Sequence, residues 1–253
     1  MATAIISDIH ANLEAFEAVL KDIKRRQISD IICLGDVIGY GPNPRECLKL
    51  ARDFKISLRG NHEEAVLFIS IAFREDAALA VEWTRTMINS TDYDKTENHS
   101  FWDWLGDRPR LDELDDKLFV HGTPREPTRE YLRAADLVNR EKMTENFDLI
   151  RHVCFCGHTH EPGVFVEEPD GQKKHHSLKE LKNVYRIDSR KCIINVGAVG
   201  QPRDGDNRAC YVTVTDKTVT YHRIPYDYKL TMKKIMDTKI LPGVLASRLE
   251  LGR

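Results

Sequence analysis

Residues 31–41, with the sequence IICLGDVIGYG, decide which fold this chain can adopt. The first four are apolar and predict a short strand that is buried on both faces and ends at Gly35. Asp36 then stands at the carboxyl end of the strand, where open α/β sheets bind their ligands. Its two carboxylate oxygens allow Asp36 to bridge two cations. A turn aspartate bonded to its own backbone is the commoner role of such a residue and is the alternative.

The segment before this strand has the pattern of a βαβ unit. Residues 2–6 are apolar and predict a strand, and Asp8 and His10 follow it on one face because alternate side chains of an extended chain share a face. Apolar residues then recur at helical spacing from Leu13 to Ile23. A strand, a helix and a second strand in this order predict a parallel pair of strands.

Polar side chains follow three more predicted strands in the same way. The strands and the residues that follow them are 55–58 with Asn61 and His62, 117–120 with His121, and 152–156 with His158 and His160. Imidazole, carboxylate and amide ligands without thiolate favour Mn, Fe, Zn or Ni over a structural zinc site. We interpret the two cysteines of strand 152–156 as buried thiols, the alternative being a zinc cluster with the nearby histidines.

Composition narrows the class of protein. The 253 residues carry a formal charge of −2, so no overall basic character demands nucleic acid as a partner. No stretch approaches the roughly 20 apolar residues that a membrane span requires, and the first residues lack the pattern of a leader. Six cysteines, most of them in apolar runs, are typical of reducing compartments. We therefore expect a cytoplasmic protein without a membrane partner; its oligomeric state is open.

We expect one domain over residues 1–253. Residues 64–116 are predicted to form a helical surface or cap segment, whose acidic part is a solvated face or, alternatively, a lid over the substrate. Segments after residue 164 are rich in β-forming residues, and a helix with a tail is predicted from about residue 226. Early βαβ units and a late all-β stretch together predict an α/β protein, α+β by some schemes.

Five ordered motifs resemble those of the calcineurin-like metallophosphoesterases. They are Asp-x-His (8–10), Gly-Asp (35–36), Gly-Asn-His-Glu (60–63), His-Gly (121–122) and Gly-His-Thr-His (157–160). The resemblance covers nearly the whole chain and implies a two-sheet mixed β-sandwich flanked by helices, in α/β/β/α layers. Residues 35–44 and 200–206 are similar to the small prokaryotic phosphodiesterase-like branch, some members of which cleave dinucleoside polyphosphates.

The resemblance also implies two divalent or mixed-valence metal ions, and Asp36 belongs to the ligand set of both. For one ion, the other ligands that it implies are Asp8, His10 and His160. For the second ion, they are Asn61, His121 and His158. A hydroxide shared by two such ions would attack phosphorus, and His62 as an imidazolium would protonate the leaving group. Mn²⁺, iron, Zn²⁺ and Ni²⁺ all suit these ligands. Glu63 is a helix-start carboxylate or a supporting residue.

Two residues of the glycine-rich loop 197–206 are predicted to contact the substrate. Arg203 has the fork-shaped donor that binds phosphate, and Gln201 lies beside it. A solvated turn arginine is the alternative for Arg203.

The predicted activity is hydrolysis of a phosphodiester, a nucleotide polyphosphate or a phosphomonoester, with a small phosphate ester or nucleotide as the substrate. Residues 58–63 also match the string of serine/threonine protein phosphatases, but Gly39 and Tyr40 stand where that family has Asp and Arg. A third hypothesis is a scaffold that keeps the fold without catalysis. The presence of all seven ligands and of His62 disfavours it.

Overall fold

The computed structural model describes residues 2–68 and 73–253, and twelve strands in these ranges form two six-stranded mixed sheets. The strands are β1 (Ala2–Ile6), β2 (Asp30–Cys33), β3 (Ile56–Ser57), β4 (Leu111–Leu114), β5 (Lys117–Val120), β6 (Val153–Cys156), β7 (Gly163–Glu167), β8 (Lys173–Ser177), β9 (Val184–Arg186), β10 (Cys192–Asn195), β11 (Ala209–Thr215) and β12 (Thr218–Ile224). The strand orders are β3-β2-β1-β11-β12-β9 and β4-β5-β6-β10-β7-β8.

Each sheet contains three adjacent parallel strands. In the first sheet β1, β2 and β3 are parallel, with Ile5 opposite Ile32, and β11 joins β1 in the antiparallel sense. In the second sheet β5, β6 and β10 are parallel. Parallel neighbours end at the same edge of a sheet, so the loops that follow these strands are brought together.

The main core lies between the two sheets, as the alternation of side chains along β1 illustrates. Ile5 points into the space between the sheets and joins a buried cluster with Phe155 and Ile194 of the second sheet. Ala4 and Ile6 point the other way and pack against helical residues on the outside. This arrangement confirms the predicted fold class, a two-sheet mixed sandwich flanked by helices.

Nine α-helices occur in the described ranges, and most cover the outer faces of the sheets. They are α1 (Leu13–Arg25), α2 (Pro44–Ala51), α3 (Asn61–Leu67), α4 (Glu75–Ile88), α5 (Lys95–Gly106), α6 (Arg140–Asp148), α7 (Leu178–Leu181), α8 (Tyr228–Asp237) and α9 (Gly243–Leu251), with a 3₁₀ turn at Ala134–Val138. None of these helices combines the length and the apolar character that crossing a membrane requires.

The cap segment predicted over residues 64–116 is helical in α3, α4 and α5, and its residues 69–72 lie outside the described residues. The helical prediction was wrong for residues 111–114, which form β4 and pair antiparallel with β5. Asp115 takes a φ of +57° in the tight turn between these strands. The sequence of this strand lacks the apolar pattern that predicts a strand, because an exposed edge strand needs little apolar surface.

The segment from about residue 226 is more ordered than the predicted helix and tail. It forms two helices, and α9 buries Leu245 and Leu249 in a small cluster with Ile235 of α8 and Ala80 of α4. The tail prediction was wrong for α9, because this short helix has a weak amphipathic pattern and is stabilised by its packing in that cluster. Packing against α4 places α9 beside the polar ends of the central strands. The single-domain prediction for 1–253 stays a prediction.

Candidate metal centre

The residues predicted as metal ligands converge at the carboxyl ends of the parallel strands. Three groups have their ligand atoms within 4.8 Å of one another: Asp8, His10 and His160 in the first cluster, Asp36, His121 and His158 in the second cluster, and a third group of His10, Asp36 and His62 that shares one residue with each cluster. Asn61 joins the second cluster, because its Oδ1 is 3.1 Å from Nε2 of His121. The structure thus brings together side chains that are far apart in sequence, from the loops that follow β1, β2, β5 and β6 and from the start of α3.

Asp36 lies between the two clusters and faces both with one oxygen. Its Oδ2 is 3.3 Å from Nε2 of His121 and 3.7 Å from Nε2 of His10. The other oxygen, Oδ1, accepts a hydrogen bond of 2.9 Å from the backbone N–H of His62. Oδ2 therefore lies between a ring nitrogen of the first cluster and one of the second.

The tautomers of the first cluster leave two ring nitrogens without hydrogens facing each other. His10 Nδ1 donates to the carbonyl of Ile38 at 3.2 Å, and His160 Nδ1 donates to the carbonyl of Gln201 at 2.5 Å. Their Nε2 atoms then carry lone pairs, yet they are 3.1 Å apart. Asp8 Oδ1 has no hydrogen-bond partner in the described part of the chain and is 3.1 Å from Nε2 of His160. Three acceptors that converge in this way fit a cation.

A backbone carbonyl also orients a histidine of the second cluster. His158 Nε2 donates to the carbonyl of Arg129 at 2.9 Å, which leaves the lone pair on Nδ1, 3.0 Å from Nε2 of His121. Anchoring one ring nitrogen on a backbone carbonyl so that the other faces a cation is the usual way in which proteins orient metal-binding histidines. The two carboxylates, one amide and four imidazoles suit Mn²⁺, iron, Zn²⁺ or Ni²⁺. Among the described residues no cysteine belongs to either cluster, and all six are free and buried.

The backbone of the site is held in an unfavourable conformation. Five of the seven predicted ligands have φ between +50° and +64°, the left-handed region that non-glycine residues rarely occupy: Asp8, His10, Asp36, His158 and His160. Each such residue costs on the order of 1–3 kcal/mol, and residues of this kind concentrate at functional sites. The sharp turns aim each side chain from the end of its strand toward the common centre.

Two glycines allow the strands to meet closely. A Cβ on Gly60 would clash with Oδ1 of Asp36, and a Cβ on Gly157 would clash with Oδ2 of Asp8. The ligand aspartates therefore rest directly on the backbone of neighbouring loops. The glycines of the Gly-Asn-His-Glu and Gly-His-Thr-His motifs thus have a steric reason in this structure.

The buried charges of the two clusters shift the pKa values of their members. Burial would raise the pKa of Asp36, but the adjacent His121 and His62 outweigh it and hold that pKa far below its usual range. Burial lowers the pKa of His158 to about 3 and that of His160 to about 4, so both rings are neutral and can act as ligands near neutral pH. His121 differs: burial opposes its charge, yet the Asp36 carboxylate raises its pKa to about 9.

Glu63 holds the loop that carries Asp36. Its carboxylate is fully buried and accepts four backbone N–H bonds, from Asp36 and Gly60 at 2.8 Å on Oε2 and from Val37 at 2.8 Å and Ile38 at 3.3 Å on Oε1. Burial and the charge of Asp36 raise its pKa to about 7, against the effect of the backbone donors. Its role is therefore support of the site. The signal in the sequence is its position three residues after Gly60, the spacing of a capping box.

His62 lies beside the clusters in an aromatic pocket. Its ring is buried, 4.4 Å from the ring of Tyr40 and 5.0 Å from that of Phe73, centroid to centroid, and its Nδ1 has no hydrogen-bond partner among the described residues. Burial lowers its pKa well below the usual value, and the Asp36 carboxylate acts in the opposite direction. The role of His62 as proton donor to the leaving group stays a prediction. The ring of His62 lies next to both clusters.

The two residues predicted to contact the substrate have different surroundings in the structure. Arg203 lines the cavity that opens onto the second cluster, and its guanidinium lies 5.7 Å from the ring centre of Tyr40. Gln201 is buried, and its Oε1 accepts 2.8 Å and 3.3 Å hydrogen bonds from Arg203. Gln201 thus orients Arg203 through its side chain and His160 through its backbone carbonyl.

Comparison with known proteins shows the family to which the chain belongs. The sequence model of the calcineurin-like phosphoesterase superfamily domain matches residues 1–218. The chain therefore belongs to this superfamily of metal-dependent phosphoesterases, which are hydrolases.

Three known proteins match this chain over almost their full length. Uncharacterized protein MJ0912 of Methanocaldococcus jannaschii is 41% identical over 260 residues, which cover 99% of this chain and 98% of that protein. The crystal structure of a metallophosphoesterase from Sphaerobacter thermophilus superposes with a TM-score of 0.82 at 36% identity, covering 100% of this chain and 99% of the other. Hypothetical protein PH1004 of Pyrococcus horikoshii shares the fold, with a TM-score of 0.74 at 17% identity and coverage of 100% and 98%.

Proposed function

We propose that the protein is a phosphoesterase that uses two metal ions, one in each cluster. The observation that carries the proposal is the pair of convergent acceptor sets on either side of Asp36 Oδ2. Bound there, two divalent cations would polarise the phosphoryl group and activate a water molecule for attack on phosphorus. Asp8, Asp36, Asn61 and the four histidines would hold them.

The residues of the chain would perform the remaining steps. Arg203 would bind a non-bridging phosphoryl oxygen with its planar guanidinium, which Gln201 already orients. His62 would donate a proton to the leaving oxygen. Burial lowers the pKa of His62, whereas the negative charge of Asp36 raises it. The negative charge of a bound phosphate ester would also raise this pKa, so His62 would take up its proton when the substrate binds.

Hydrolysis of bis(p-nitrophenyl) phosphate by protein loaded with Mn²⁺ tests the proposal. His62→Ala should reduce kcat by about 10²–10⁴-fold while metal content stays the same. His99→Ala, on the exposed side of α5, is the matched control and should leave kcat unchanged. If the wild-type protein hydrolyses nothing after loading with each of the four candidate metals in turn, the proposal is contradicted.

Neither alternative activity gains support from a specific contact. Tyr40 stands where a protein phosphatase carries arginine, and its ring packs against His10 and His62 at centroid distances of 4.6 Å and 4.4 Å. A scaffold without catalysis would have no use for five strained ligand residues. We therefore propose a small phosphate ester or nucleotide as the substrate, and six reduced, buried cysteines support a cytoplasmic location.

A further inference from the structure

A cavity of about 440 Å³ beside the second cluster is lined by arginines. It opens next to Asn61 and His158, two of the predicted ligands. Its arginines come from the start of α4, the loop before the 3₁₀ turn, the glycine-rich loop and the carboxyl-terminal helix: Arg74, Arg129, Arg133, Arg203, Arg248 and Arg253. Asp76 is the one acidic side chain among the described residues that line it.

This concentration of positive charge does not follow from the composition, because the chain as a whole has a formal charge of −2. Guanidinium groups around one cavity repel one another unless an anion neutralises them. Arginine is also the side chain whose planar fork matches phosphate oxygens in two-point contacts. The lining therefore fits a ligand that carries several negative charges.

Several of these arginines are already fixed in position. Arg248 Nη2 lies 3.3 Å from Asp76 Oδ2, and Arg129 Nε donates to the buried Glu64 at 3.0 Å. Arg133 lies 4.7 Å above the ring of Tyr131, which itself stacks on His158 at 3.9 Å. Arg133 is thus joined to the second cluster through one aromatic ring.

The free donors point to the same conclusion. Neither Arg133 nor Arg253 has a side-chain ion pair within residues 2–68 and 73–253. Arg133 is exposed at the mouth of the cavity, so a bound anion can reach it without displacing a protein carboxylate.

We propose that this cavity is a second anion subsite, which binds a phosphoryl group next to the one held by the metal clusters. The ligand class is a phosphoanhydride chain, whether inorganic or part of a nucleotide. Its cleavage would add water across one P–O–P link: the water oxygen bonds to one phosphorus, and the bridging oxygen leaves on the other phosphate with a proton. The hydrolysis rests on the proposed function, whereas the binding does not.

Two variants and one control test the subsite. Arg133→Gln and Arg248→Gln each remove one guanidinium from the cavity. Arg151→Gln is the control, since Arg151 is 75% exposed and precedes β6 at the opposite end of that strand. The probes are tripolyphosphate, ATP and orthophosphate, the last of which has a single phosphoryl group.

The first readout is inhibition of bis(p-nitrophenyl) phosphate hydrolysis by the Mn²⁺-loaded protein at a fixed free Mn²⁺ concentration. We expect tripolyphosphate to bind at least ten-fold more tightly than orthophosphate. Each cavity variant should weaken tripolyphosphate about 5- to 20-fold, as expected for loss of one charge-assisted contact, and orthophosphate less than three-fold. Comparable affinities for ATP and tripolyphosphate would support recognition of the chain itself, and tighter binding of ATP would support a nucleotide.

The second readout is calorimetric titration of metal-free protein with tripolyphosphate. Binding that the cavity variants weaken and Arg151→Gln leaves intact supports the subsite even for protein that hydrolyses nothing. Equal affinities for orthophosphate and tripolyphosphate, or equal losses of both in the cavity variants, overturn it while the proposed hydrolysis stands.

Discussion

Glu63→Gln tests the support of the site most sharply, because one buried carboxylate fixes four backbone donors. The amide of glutamine keeps one acceptor oxygen and turns an N–H₂ group toward the other two donors. Two buried N–H groups then lose their acceptor, at roughly 1–3 kcal/mol each. We expect the free energy of unfolding to fall by about 2–6 kcal/mol.

The same change should loosen Asp36. Its φ of +52° is unfavourable, and the bond from its N–H to Glu63 helps to hold it. We expect the affinity for Mn²⁺ to fall about 10–100-fold, as for other residues that orient metal ligands.

The assays are urea unfolding of metal-free protein and Mn²⁺ titration, both at pH 8, where a Glu63 with a pKa of about 7 is ionised. Glu17→Gln on the exposed side of α1 is the matched control and should change the free energy of unfolding by less than about 0.5 kcal/mol. A loss below about 1 kcal/mol in Glu63→Gln, together with unchanged Mn²⁺ affinity, would refute the reasoning.

Three other predictions concern buried charges. Glu64→Gln should weaken Mn²⁺ binding about ten-fold, because Glu64 holds Arg129, whose carbonyl orients His158; metal titration checks this. Asp22 is held ionised by Tyr211 and two arginines although burial opposes it, and its pKa is lowered to about 2 from 3.8. Its stabilisation of about 2 kcal/mol is present above pH 3.8 and lost as pH falls toward 2, and unfolding of Asp22→Asn should lack that part of the pH dependence. Arg45→Met should cost about 3–5 kcal/mol in urea unfolding, because the 2% exposed guanidinium anchors α4 and α5.

The convergence of the candidate ligands could be predicted from the sequence because these residues all follow the ends of strands. A short apolar run fixes a strand, and a polar residue after it must lie at the sheet edge. Neither step depends on distant packing. The meeting of the two clusters at Asp36 came instead from the family resemblance, since spacing along the chain does not state which strands are neighbours.

Features that depend on long-range packing were missed. β4 has the exposed sequence Leu-Asp-Glu-Leu and forms only because β5 offers an edge. α9 is stabilised by contacts with α4 and α8, which are remote or weakly patterned in sequence. The arginine cavity could not be predicted for the same reason. Arg133 and Arg248 lie far apart in sequence, and only the fold brings their segments together.

Metal loading followed by electron paramagnetic resonance tests the central claim most directly. Dialysis of the protein against Mn²⁺ should yield two bound ions per chain with an exchange-coupled spectrum, because the shared oxygen of Asp36 would link the ions at about 3.5–4 Å. Asp36→Asn should abolish the coupled signal. One ion per chain, or two ions that give the spectrum of isolated Mn²⁺, would contradict the account.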